Sequence, residues 1–134
     1  MLQLYSKNIT AAADTPISFS NTVLAKGCTA VFAAPATINL NKRGVYMVTC
    51  NASGTPTGTG TDVSLQLYKN GTALDQAVGT AAGADEVSVG FSTLVTVSED
   101  NNCSCFSAPT TLTLMNVGAE TAFSTVNLCI TKIC

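Results

Sequence analysis

The sequence contains no histidine and no tryptophan, and charged residues make up only 10% of it. Without histidine there is no imidazole general base, no Ser-His or Cys-His nucleophile pair, and none of the commonest zinc ligand. The chain is therefore expected not to be an enzyme. Sugar-binding loops rely on exposed aromatic rings, yet tryptophan is missing and the tyrosines fall within predicted strands. Six Lys and Arg against eight Asp and Glu give a net charge of −2. The basic residues are scattered along the chain apart from Lys42-Arg43, so no nucleic-acid partner is expected. No segment approaches the roughly 18 consecutive apolar residues of a membrane helix, so no membrane partner is expected either. The start, Met1 to Lys7, lacks the basic and apolar regions of a signal peptide. That leads to the expectation of a complete chain made in a cytoplasm and not exported by the ordinary route. The glycine-rich stretch Ser53–Gly60 has no GxxxxGK pattern and no lysine, so it is read as a loop without a phosphate site.

What is present points to strands. The chain has 134 residues, 46% of them apolar, enough for one domain over 1–134 with its own core. Globular domains carry about 25% charged residues. Here Thr, Ser, Asn and Gly take over the solubilising surface, and these residues suit β-surfaces, turns and contacts with other subunits. Helical patterns are absent: Ala11–Ala13 and Ala81–Ala84 are short and bounded by breakers. Apolar residues instead recur at period two. Leu2, Leu4 and Ser6 alternate with Gln3, Tyr5 and Lys7. Pro16–Phe19, Val23-Leu24, Val31-Phe32 and Ile38–Leu40 are short candidates. Gly44–Ala52 and Asp62–Tyr68 are strong ones, the second with Val63, Leu65 and Leu67 on one face. Asn70-Gly71 predicts a hairpin, because both residues tolerate φ > 0, and Thr72–Val78 is the return strand. Ser53–Thr61 and Gly79–Ala84 are read as loops. Val87–Val97 alternates with a bulge or bend expected near Gly90. Cys103–Phe106, Thr111–Met115 and Phe123–Ile133 complete the set. Turn signals at this spacing predict an all-β sandwich or barrel of eight to ten short strands.

Chemistry-bearing residues receive structural readings. The carboxylates Asp14, Asp62, Asp75, Asp85, Glu86, Glu99, Asp100 and Glu120 lie in or beside predicted turns and read as solvating groups. Glu99–Asn102 offers calcium-type oxygens but does not match an EF-hand loop, and reads as a polar turn. The six cysteines are Cys28, Cys50, Cys103, Cys105, Cys129 and Cys134. The absent export signal favours buried thiols over disulfides. Cys103-Ser-Cys105 lacks the CxxC knuckle of structural zinc sites, although Cys50 and Cys129 are available to complete a four-thiolate centre. Structural thiols rank first, late disulfides second and metal third. No cofactor and no metal is assigned. Asn8-Ile-Thr10 and Asn51-Ala-Ser53 match the glycosylation pattern and are read as chance matches.

Several segments in order resemble the tumour-necrosis-factor-like superfamily of jelly rolls. Its members include complement globular heads, spore-filament domains and domains on phage virions. The matching segments are Asn41-Lys-Arg-Gly44-Val-Tyr46, the hairpin Val63-Ser-Leu-Gln-Leu-Tyr68-Lys-Asn70-Gly71, and Phe91–Val97 with its polar turn and Cys103-Ser-Cys105. The closing segments Thr111–Leu114 and Ala122–Ile133 follow. The turn Glu99–Asn102 departs from the family's Gly-Asp pair. The resemblance covers residues 36–133 and implies a jelly-roll β-sandwich that forms a homotrimer. It implies that the opening strand, Gly44–Ala52, Cys103–Phe106 and the closing strand share the sheet along the three-fold axis. On that sheet Val45, Met47, Thr49, Asn127, Cys129 and Thr131 would face neighbours. Tyr46, Val48, Leu128 and Ile130 would be core, together with Leu65 and Leu67 from the hairpin. The resemblance also implies that Cys50 lies near Cys103 or Cys105, as a thiol cluster or a late disulfide.

The expected function is that of a viral, specifically phage, structural protein located on the virion. Capsid decoration and a head-fibre or spike knob are the two forms considered, with the major capsid protein or another virion protein as partner. The alternative is a receptor- or carbohydrate-binding module of a virion or bacterial surface, with a host surface receptor or glycan as partner.

Overall fold

The structure, a computed structural model, describes residues 1–27, 29–57, 62–83, 85–97 and 110–133. Among the described residues there are eleven strands and no helix. They are β1 (Leu2–Ala11), β2 (Thr15–Pro16), β3 (Asn21–Ala25), β4 (Ala30–Ala33), β5 (Thr37–Leu40), β6 (Gly44–Pro56), β7 (Asp62–Lys69), β8 (Thr72–Ala82), β9 (Val87–Val97), β10 (Thr110–Asn116) and β11 (Thr121–Lys132). The first sheet has the order β3-β1-β11-β6-β9; the second has the order β4-β5-β10-β7-β8, with β2 paired onto β10. Every pairing is antiparallel. Between consecutive strands the chain stays in one sheet only from β4 to β5 and from β7 to β8, and crosses to the other sheet at every other step. The architecture is an all-β jelly-roll sandwich.

Period-two alternation decides which side chains enter the space between the sheets. On β6, Tyr46, Val48, Cys50 and Ala52 are buried while Val45, Met47, Thr49 and Asn51 point away. Leu65, Leu67, Leu112, Leu114, Leu128 and Ile130 close over them with no residual exposure. Three polar groups inside this core are satisfied locally. The Tyr46 hydroxyl donates to the carbonyls of Lys42 and Thr29. Ser6 is fully buried; its hydroxyl donates to the Ser18 carbonyl at 2.7 Å and accepts from the Ser20 amide at 3.0 Å. Asn116 is also fully buried. Its amide nitrogen donates to the carbonyls of Ala11 and Ala119, each at 3.0 Å, and its oxygen accepts from the Gly118 amide at 3.1 Å. It thereby ties the end of β1 to the β10–β11 turn.

The Asn70-Gly71 hairpin forms with both residues at positive φ, 52° and 81°, and Lys69 pairs with Thr72. Three expectations are corrected. Ser53–Pro56 continues β6, and Gly79–Ala82 continues β8, so neither is loop. β9 pairs with β6 in unbroken register from Val87 to Val97, with no bulge at Gly90. Gly90 instead permits a close approach. A Cβ placed on Gly79 would lie 2.6 Å from the Gly90 carbonyl oxygen, and one on Gly90 would lie 2.7 Å from the Cys50 carbonyl oxygen. The edge strands β8 and β9 of the two sheets meet here without side chains between them.

Candidate self-association face

The outward face of the first sheet is read directly from its registers. One row across it is Leu24, Gln3, Cys129, Thr49 and Ser92; the next is Asn21, Tyr5, Asn127, Asn51 and Gly90. Thr131, Met47 and Leu94 form a row toward the Gly44 end, followed by the Val45–Thr96 pair. Among the described residues in these paired rows, Lys7, opposite Thr125, is the one charged side chain on this face. Neighbouring polar groups bond to one another along the surface. Gln3 donates to Asn127 at 3.2 Å, Thr49 and Ser92 hydroxyls lie 3.5 Å apart, and Ser53 and Ser88 hydroxyls lie 3.2 Å apart.

Apolar exposure concentrates on the same sheet. The exposed large hydrophobic residues are Met1, Val23, Leu24, Val31, Met47, Val78, Leu94 and Ile133, and all but Val31 and Val78 belong to the strands or ends of the first sheet. Met47 (43% exposed) and Leu94 (51%) are register partners across β6 and β9. Ile133 joins them at this end through its amide bond to the Val45 carbonyl, 2.8 Å. Large apolar side chains held side by side on a sparsely charged sheet form a patch of the kind that another subunit covers.

The structure places Val45, Thr49, Asn127, Cys129 and Thr131 half-exposed and Met47 exposed, all on this outward face. Tyr46, Val48, Leu65, Leu67, Leu128 and Ile130 are fully buried on the opposite side of their strands. Cys50 pairs with Leu128 and Phe91 across its two neighbouring strands and points into the core, where burial pushes its thiol up to about 12. Cys103 and Cys105 lie outside the described residues. Both edges of β6 are occupied, by β11 and by β9. Cys50 faces the core and Cys129 the outside of the same sheet, because Cys50 is the partner of Leu128 and not of Cys129. Those two thiols therefore cannot share a metal. Both are free. No group of three or more His, Cys, Asp or Glu suited to a metal occurs among the described residues.

Sequence reasoning missed Leu94 and Ile133 as members of the face. Leu94 was visible only as part of an apolar pair with Val95; its parity follows from the unbroken β6–β9 register.

No protein-family model matches the sequence, and no curated protein matches it. Solved structures do match in fold. The globular domain of zebrafish complement 1qA protein superposes with a TM-score of 0.71 at 11% identity, over 99% of this chain and 96% of that one. Eiger TNF from S. frugiperda gives 0.71 at 10% identity, over 99% and 92%. PRD1 vertex protein P5 gives 0.64 at 19% identity, over 99% and 96%. The chain has the jelly-roll fold shared by TNF and complement 1q globular domains.

Proposed function

We propose that this chain is a non-enzymatic structural protein of a viral particle, self-associating as a homotrimer through the outward face of the β3-β1-β11-β6-β9 sheet and decorating or projecting from the particle surface. The observation that carries the reading is the coincidence on the strands and ends of that sheet of exposed Met1, Leu24, Met47, Leu94 and Ile133, with Lys7 the one charged side chain in its outward paired rows among the described residues. A solvated sheet of a monomer gains nothing from this arrangement. Buried against copies of itself, it removes the apolar area from water and leaves hydroxyls and amides to pair across the interface. A closed three-fold ring covers such a face equally on every copy. The likeness to PRD1 vertex protein P5, whose name places it at a vertex, supports the particle assignment. The complete absence of histidine supports the non-enzymatic one.

Light scattering coupled to size exclusion tests the association. Three times the 13.7 kDa chain mass is expected for the unmodified protein, and the single chain mass for the Met47→Glu/Leu94→Glu double variant. A single chain mass for the unmodified protein at micromolar concentration overturns the reading. Electron microscopy of the source particle, with the protein absent from its surface, would overturn the particle assignment separately.

A further inference from the structure

The charges that are scattered along the sequence are sorted in space. Lys26 is held against the N-terminus, whose ammonium donates to the Lys26 carbonyl at 3.0 Å. Lys42 and Arg43 directly precede β6, and Lys132 pairs opposite Tyr46 near the start of that strand. Lys69 donates to the Thr96 carbonyl at 2.6 Å, and Thr96 is the partner of Val45. Five of the six Lys and Arg residues, together with the N-terminal ammonium, therefore gather at the Gly44 end of the roll. The opposite end, where β6 finishes at Pro56, holds carboxylates. Glu120 accepts from the Thr57 hydroxyl at 2.8 Å, and Glu86 accepts from Ser124. The Asp62 carbonyl accepts from the Ala119 amide, and the Asp14 amide donates to the Asn116 carbonyl at 2.8 Å. Asp85 directly precedes Glu86. Asp14, Asp62, Asp85, Glu86 and Glu120 are all exposed. Asp75 is the exception to this sorting, exposed on β8 toward the Lys69 end; Glu99 and Asp100 lie outside the described residues, and counting all three at the Gly44 end still leaves that end positive.

The thirteen residues of β6 separate the two ends by about 40 Å. That is several times the screening length of about 8 Å at physiological salt. An approaching surface therefore meets one end and not the net charge of −2. We infer that copies of this chain pair head to tail, the Lys26, Lys42, Lys69 and Lys132 end of one against the Asp14, Asp62, Asp85, Glu86 and Glu120 end of the next. The occupant is a second copy because the chain itself carries the complementary surface. The pairing is heterologous, so it can repeat along a line. It uses the ends of the roll and not the sheet face, so it holds for a single chain and for an oligomer alike. Individual exposed pairs contribute little and are screened by salt, so the association is strongest at low ionic strength.

Sedimentation velocity at about 20 mM and about 500 mM sodium chloride tests it, across roughly a fivefold change in screening length. The weight-average mass is expected to rise about twofold or more at the lower salt. The Lys26→Glu/Lys42→Glu variant and the Asp62→Lys/Asp85→Lys variant should each lose that rise. Mixing the two variants should restore it, which also shows that both are folded. The Met47→Glu/Leu94→Glu variant should keep the salt response from a smaller starting mass, which separates this inference from the trimer. A mass for the unmodified protein that is the same at both salts overturns the inference. So does a charge-reversed variant that still grows alone. Retention of the unmodified protein on polyglutamate resin without any growth in solution would also overturn it, by placing the acidic partner outside this chain.

Discussion

Cys50 and Asn116 occupy the same closed space between the sheets and make opposite demands on it. Cys50 needs only room and low polarity. Its folded pKa is pushed up to about 12 by burial, against an ordinary value of 9.0. Between those pH values the unfolded chain has released the proton and the folded chain still holds it, so stability falls as pH rises through that window. Cys50→Ala removes this contribution. The difference in unfolding free energy between the unmodified protein and the variant should shrink from pH 8 to pH 11 in urea titrations. Asn116 instead needs partners, and has them in Ala11, Ala119 and Gly118. Asn116→Ala strands those backbone groups and is expected to cost about 3 kcal/mol, measured in the same titrations at pH 7. Only one of the two residues was readable beforehand. Cys50 falls on the period-two count from Tyr46 and Val48, whereas a polar Asn after Leu112 and Leu114 reads as the end of a strand. Its role in tying β1 to the β10–β11 turn depends on the Ala11 carbonyl, more than a hundred positions away, which no local pattern contains.

Elements were legible where their determinants are local. Asn70-Gly71 made the β7–β8 hairpin visible because positive φ at two successive positions is a property of those residues. The alternation of β6 and β7 was visible for the same reason. Gly79 and Gly90 were not, since glycine signals a bend, a loop or a close approach equally well. Here they are the close approach of two edge strands. Gly79→Ala would set a Cβ 2.6 Å from the Gly90 carbonyl oxygen. It should destabilise the fold by about 2 kcal/mol, the cost of overpacking, as a lowered urea midpoint with an unchanged slope.

At the scale of the molecule, all-β character followed from composition and spacing and the jelly roll from the resemblance, while the sorting of charge did not. Lys26, Lys69 and Lys132 are far apart along the chain, and only the antiparallel ladders return them to one end. Association through the sheet face carries its own signature here. If folded chains are stabilised by one another, the melting temperature rises with protein concentration. Calorimetry of the unmodified protein over a hundredfold dilution should show that rise, and the Met47→Glu/Leu94→Glu variant should melt independently of concentration. The position of β11 bears on how the chain acquires this shape. It lies between β1 and β6, pairing Leu2 with Ile130 on one side and Val48 with the same residue on the other. During synthesis the first sheet therefore lacks its middle until the final segment emerges from the ribosome. Until β11 is available, β1 and β6 offer open backbone edges to one another and to neighbouring nascent chains, so the earlier-made part of this sheet is exposed to mispairing.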